Sequence, residues 1–379
     1  MQHTMKQLAG ATLVAALSLA GTAHAQQVED VKIGFAAPLT GAQAHYGKDF
    51  QNGVTLAVEE TNATKPVIDG KQVHFVLDVA DDQADPRTGT TVAQKLVDDG
   101  IKGMLGHFNS GTTIPASRIY ANAGIPQIAM ATAPEFTQQG FKTTFRMMTS
   151  DTQQGSVAGE FAVKTLGMKR IAVVDDRTAY GQGLADQFAK AAGGTIIDRE
   201  YTTDSAVDFK SILTKLKAQR PELIYYGGAD SQAGPMVKQM KSLGITAPLM
   251  GGEMLHTPTF LKIAGDAANG TYASLAGLPL DEMPGGKAYV AKYKARFNED
   301  VQTYSPYAFD GAMAMFAAMK NANSTDPAKY LPYLAKTHMP AVTTKILAYD
   351  EHGDLKNGGI TVYKVVNGQW QPLQSVGGK

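Results

Sequence analysis

The chain has 379 residues, of which 44% are hydrophobic and 18% charged, so there is material for a core. Lys plus Arg and Asp plus Glu both number 35, a formal net charge of +0 without any long basic run, which argues against nucleic acid and anionic membrane surfaces as partners. With 0 cysteines there are no disulfides, no thiol catalysis and no cysteine-ligated metal.

Residues 1–25 read as a signal peptide. Lys6 and His3 make a weakly basic front end, residues 8–20 are apolar, and Ala23-His24-Ala25 places small residues where a signal peptidase reads. The apolar run is too short to span a bilayer as a helix. Cleavage after Ala25 is expected, and no cysteine follows the run to carry a lipid. The remaining stretch of about 350 residues exceeds what one core serves, so two domains are expected.

From there the chain alternates between strand and helix. Val31, Ile33 and Phe35 alternate as in a strand, and Phe50, Val54, Ala57 and Val58 then recur at helical spacing. Val73, Phe75, Leu77 and Val79 alternate again. Pro86 opens a helix with Val92 and Leu96, and Gly100 closes it. Residues 101–106 and 128–131 are short strands around a helix with Ile114, Ile119 and Tyr120, which has Pro115 near its start and Gly124 past its end. A second run of this kind begins near Asp151. Its first helix carries Val157, Ala158, Phe161, Thr165 and Leu166 and ends at Gly167. Strands are predicted at 171–174, 223–226 and 248–250, with helices between them. Helices around Tyr293 and Met315 follow. Asn367-Gly368 then joins two strand-like runs as a hairpin. Alternation of this kind means parallel sheets covered by helices on both faces.

Catalytic signatures are missing. There is no Gly-x-Ser-x-Gly elbow and no phosphate-binding Gly-Lys-Ser/Thr loop, and Gly181-Gln182-Gly183 lacks the third glycine of a dinucleotide fingerprint. The histidines are scattered, and His45, His107 and His256 read as surface or loop residues. Asp78, Asp81, Asp82 and Asp85 lack the glycine and terminal glutamate of a calcium loop and read as a solvated loop with a helix cap. No nucleophile is paired with a base, so neither an enzyme nor a cofactor is expected.

Polar residues at strand ends carry the functional signal, because open α/β sheets bind ligands outside the carboxyl ends of their strands. Ser110 follows the strand 101–106 and leads into a helix, where free backbone N–H groups favour an anion. Thr132 follows the next strand. Both read either as ligand contacts or as helix caps. Glu253 follows the strand 248–250 and reads either as an ammonium contact or as a solvated loop residue. Tyr46, Tyr180 and Tyr226 lie just after strands, where aromatic walls can cover an apolar side chain.

The same segments resemble the branched-chain amino-acid (leucine/isoleucine/valine) binding proteins of bacterial ABC transporters. The likeness runs through Tyr46-Gly47, Asp81-Asp82 to Asp85-Pro86, Gly106-His107 to Ser110, Ala131-Thr132-Ala133-Pro134-Glu135, Tyr180-Gly181-Gln182-Gly183, Tyr225-Tyr226-Gly227-Gly228 and Gly252-Glu253. It implies a type I periplasmic binding protein fold, α/β with two Rossmann-like lobes. Residues 26–147 and 277–349 would form the N-terminal lobe, and 148–276 and 350–379 the C-terminal lobe. It implies that Ser110 and Thr132 contact the ligand from the first lobe and that Tyr226 and Glu253 do so from the second, with Glu253 facing the ammonium. Tyr46 and Tyr180 would be pocket walls, and Met130 would contribute backbone. The implied setting is a periplasmic monomer without catalysis, metal or cofactor, with an amino-acid ligand and an inner-membrane ABC permease as partners. A sensory receptor of the same fold for an amide, carboxylate or aromatic relative is the alternative. Phe108, Asn109 and Tyr304 depart from the leucine-binding pattern, and a cysteine pair of some members is replaced by Ala84 and Asn109.

Overall fold

A computed structural model describes residues 28–356 and 358–378. The expected signal segment, residues 1–25, lies outside the described residues.

The first sheet contains β1 (Val28–Ala37), β2 (Val67–Ile68), β3 (Lys71–Asp81), β4 (Met104–Gly106), β5 (Gln127–Ala129) and β6 (Thr144–Arg146), in the order β2-β3-β1-β4-β5-β6. All its pairs are parallel except β2 with β3. The second contains β7 (Ile171–Asp175), β8 (Ile196–Tyr201), β9 (Leu223–Gly227), β10 (Leu249–Gly251) and β11 (Tyr272–Ala276). After the small hairpin of β12 (His338–Met339) and β13 (Leu347–Ala348), the chain adds β14 (Ile360–Val366) and β15 (Gln369–Val376) to the second sheet. Its order is β15-β14-β11-β10-β9-β7-β8, and β14 and β15 run antiparallel to their neighbours.

Each sheet therefore repeats one doubly wound order, in which the first strand lies between the next two parallel strands, β1 between β3 and β4 and β7 between β8 and β9. The chain reverses direction across the sheet between β1 and β4 in one lobe and between β7 and β9 in the other. Loops diverge there, one to each face, and leave a crevice at the strand ends.

Burial follows from position in the sheet. The end of β1, from Ile33, is buried on both faces, as a parallel strand between two helical layers must be. Val73 and Phe75 of β3 are buried, but Val79 is 41% exposed. The short β2 pairs only the start of β3, so the far end of β3 is an uncovered edge. β11 has no apolar alternation, since Ala273 and Ser274 sit at its centre, and pairing alone defines it.

Several helix ends obey their local signals. Asp85 caps Pro86–Asp98 by accepting from Thr88 N at 2.8 Å. Asn367 and Gly368 have φ of 51° and 74°, as the tight hairpin turn requires. The helix predicted through Leu166 is α-helical only over Asp151–Glu160 and continues as a π turn, Phe161–Thr165. The widened turn keeps Phe161 and Ala162 buried, with Phe161 6.2 Å from Tyr272.

Two predicted loop histidines are interior instead. His107 is buried between Asp82 (Nδ1 to Oδ2, 2.7 Å) and Tyr120 (Nε2 to the hydroxyl, 3.1 Å). His256 is partly buried, with both ring nitrogens covered, against the rings of Tyr363 and Trp370. Imidazole is small enough to be buried, and the partners that surround it come from distant segments with no local signature.

Candidate functional site

The crevice walls are strand ends and helix starts. From the first lobe, Tyr46 stands in the first turn of Ala44–Ala63, which follows β1. Phe108, Asn109 and Ser110 follow β4, and Met130 and Thr132 follow β5. Tyr304 precedes the helix Ser305–Asn321, which packs on Ala44–Ala63. From the second lobe, Tyr180 stands in the first turn of Ala179–Ala192, after β7, and Glu253 and Met254 follow β10.

These elements bring Ser110, Thr132, Tyr180 and Glu253 to one cavity, together with Phe108, Asn109, Met130, Met254 and Tyr304. The cavity is closed down to about 10 Å³, close to the space of one water. It opens toward a wider crevice of about 530 Å³, where Gln43, Pro86 and Gly111 face Asp176, Arg177 and Thr178. Ala84 and Asn109 lie on this same crevice.

Neither hydroxyl of the first lobe caps a helix. The cap residue of Ser110–Asn122 is Asn109, and its side-chain amide donates to Gln43 Oε1 at 2.6 Å instead. Ser110 Oγ accepts from Ala133 N at 3.3 Å, which leaves the hydroxyl hydrogen available to a ligand. The short helix after Thr132 is preceded by Pro134. Glu253 is not a solvated loop residue, being 3% exposed. It accepts from Gln154 Nε2 at 2.5 Å and from the Tyr180 hydroxyl at 2.9 Å. Burial holds its carboxyl above the ordinary range, against the hydrogen bonds from Gln154, Tyr180 and Thr132.

Tyr46 backs the cavity without lining it. Its ring stacks on Phe108 at 5.4 Å and meets Tyr304 edge-on at 5.8 Å. Its hydroxyl donates across the crevice to Met254 O at 2.7 Å. His45 Nε2 to Asp230 Oδ2 (2.9 Å) and Thr303 Oγ1 to His256 O (2.9 Å) are two further links between the lobes.

Tyr226 is not brought to the cavity. Alternation along β9 turns it to the opposite face from Tyr225, into a core with Val174, Ile224 and Leu249. Tyr225 packs flat on Phe188 at 3.7 Å. Met254, which lines the cavity, and Asp151 and Gln154 beside Glu253 were not read from the sequence. Asp151 and Gln154 are marked only by their position next to Glu253 in space, and no local motif marks them.

Two Rossmann-like lobes that meet across a polar crevice, with hydrogen bonds joining one wall to the other, define a ligand-capturing receptor. The periplasmic binding protein family matches residues 30–369, and this chain belongs to that family. A Leu/Ile/Val-binding protein homologue from Brucella abortus is 34% identical over 359 residues, 94% of each chain. A leucine-binding protein from Thermotoga maritima superposes with a TM-score of 0.84 at 25% identity, over 91% of this chain and 98% of the other. The substrate-binding protein of a branched-chain amino-acid transporter from Streptococcus pneumoniae, solved with isoleucine, gives 0.82 at 26% identity, over 92% and 100%. The fold is thus the type I periplasmic binding fold.

Proposed function

We propose that this protein captures a branched-chain or other apolar amino acid between its lobes and delivers it to an inner-membrane ABC permease. It acts by binding, without catalysis, as a periplasmic monomer released by cleavage after Ala25. Residues 26–147 and 277–349 make one lobe, and 148–276 and 350–379 the other. The observation that carries this reading is the single cavity in which Ser110 and Thr132 of one lobe face Tyr180 and Glu253 of the other. Hydroxyls and the free N–H groups at the start of Ser110–Asn122 suit a carboxylate. The buried Glu253 carboxylate suits an ammonium. Phe108, Met130, Met254 and Tyr304 offer an apolar wall between them. The names of the relatives point to the same ligand class.

A thermal-shift panel of amino acids, their amides and their deaminated analogues tests this. A ligand at 100 times its Kd stabilises the fold by about 2.7 kcal/mol. An apolar amino acid is expected to give the largest shift. A panel in which no amino acid shifts the transition would reject the reading.

A further inference from the structure

At the start of the helix Asp151–Glu160, three acceptor atoms are buried without a hydrogen-bond donor among the described residues. They are both carboxylate oxygens of Asp151 and Oε1 of Gln154. The two residues lie three apart on one helix and so share a face. Gln154 has turned its amide nitrogen to Glu253, so its carbonyl oxygen is left over. Buried polar atoms are nearly always paired, and three orphaned acceptors beside a buried glutamate ask for a donor.

Only the Thr132 hydroxyl reaches toward the two carboxyls, and no cation among the described residues is free to do so. Asp151 is 0% exposed. Arg146 on β6 is the cation nearby, and it is committed to Asp354 (2.7 Å), Ala131 O (2.5 Å), Ala133 O (3.0 Å) and Thr137 Oγ1 (3.0 Å). Glu135 and Glu253 add negative charge toward Asp151, and Tyr180, Tyr225 and Tyr304 face the pair as neutral phenols. Burial first, and the Glu253 charge second, push the Asp151 carboxyl well above its ordinary range, while the Thr132 hydroxyl opposes this at both carboxyls. Two buried carboxylates that feel each other's charge, with no free cation among the described residues, do not both stay ionised.

We propose that Asp151 and Glu253 share one proton until a ligand's ammonium settles among their oxygens and the Gln154 carbonyl, and that binding then expels this proton to solvent. A carboxyl O–H bond breaks, buffer takes the proton, and the ammonium charge replaces it. The ammonium's N–H groups meet the acceptors that are otherwise orphaned. The inference rests on Glu253 as the ammonium contact.

Calorimetry of L-leucine in buffers of different ionisation enthalpy counts the protons. Wild type is expected to release roughly one per leucine bound near neutral pH, Asp151→Asn none, and 4-methylpentanoate, which lacks the ammonium, none with either protein. A ligand-free measurement stands beside it. A carboxyl with a raised folded pKa lends stability in acid that is lost as pH rises. The melting temperature of Asp151→Asn should therefore gain on wild type as pH rises above the ordinary carboxylate range. Parallel melting curves, or leucine binding without proton release, would overturn the inference alone. If no amino acid binds, the inference and the reading of Glu253 fall together.

Discussion

Single side chains set both affinity and pH response. Ser110 lines the cavity; if it donates to the ligand carboxylate as proposed, a hydrogen bond to a charged group contributes about 1.5–3 kcal/mol, so Ser110→Ala should weaken L-leucine roughly 10- to 150-fold. Glu253→Gln keeps the shape and removes the charge. It should weaken leucine by a similar factor while hardly affecting 4-methylpentanoate, and equal losses by calorimetry would remove the ammonium assignment. His256 governs a different property. Its ring nitrogens are covered with no partner among the described residues, and burial pushes it down to about 4. The unfolded chain takes up this proton near pH 6.5, whereas the folded protein resists it, so stability is full above about 6.5 and falls toward pH 4 by about 3 kcal/mol. Melting temperatures of His256→Phe should fall less than those of wild type across that window. Coincident slopes would show that another group carries the acid sensitivity.

At the scale of elements, close helix packing positions the second wall. Gly155 and Gly159 lie one turn apart on the helix that begins with Asp151. A Cβ at Gly159 would sit 2.7 Å from Ala191 Cβ and 2.8 Å from Phe188 O, which is backbone and cannot swing aside. Glycine costs about 1 kcal/mol of helix propensity, so a larger residue gains that much before the clash is counted. For Gly159→Leu the clash wins. A net loss of about 1–3 kcal/mol is expected from urea unfolding, and a gain would show that Ala179–Ala192 can move away freely. Elements with strong local chemistry were legible in the sequence. The Asp85-Pro86 helix start and the Asn367-Gly368 hairpin are where their signals put them. β8 and β11 were not legible, because an edge strand with Asp198, Arg199 and Glu200 and a central strand of small residues lack the period that marks a strand.

The whole molecule is drawn together by bonds between its lobes. The Tyr46 hydroxyl to Met254 O, His45 to Asp230 and Thr303 to His256 O all cross the crevice, while the cavity itself has little room. Binding therefore requires the lobes to part, and a ligand that touches both walls favours the closed state by its differential contacts alone. Saturating L-leucine should lower the radius of gyration measured by small-angle scattering, and an unchanged radius would reject closure. Tyr46→Phe keeps the ring and removes two neutral bonds across the crevice, the one donated to Met254 O and the one accepted from Asp230 N, together worth about 1–2 kcal/mol, so leucine should bind roughly 5- to 30-fold more weakly. Full affinity in that variant would show that the bonds do not favour closure.

The sequence by itself determined the α/β character, the repeated doubly wound runs and the strand-end positions of Ser110, Thr132, Tyr180 and Glu253. All of these depend on local period and on turn chemistry near each residue. Tertiary structure alone decided what stands opposite what. Gln154 and Glu253 are 99 positions apart, and Tyr46 and Met254 are 208 apart. No local pattern records such a meeting. Tyr226, expected from the sequence as a ligand contact, faces away from the cavity, because two adjacent tyrosines in a strand buried on both faces read alike until the sheet assigns each one a side.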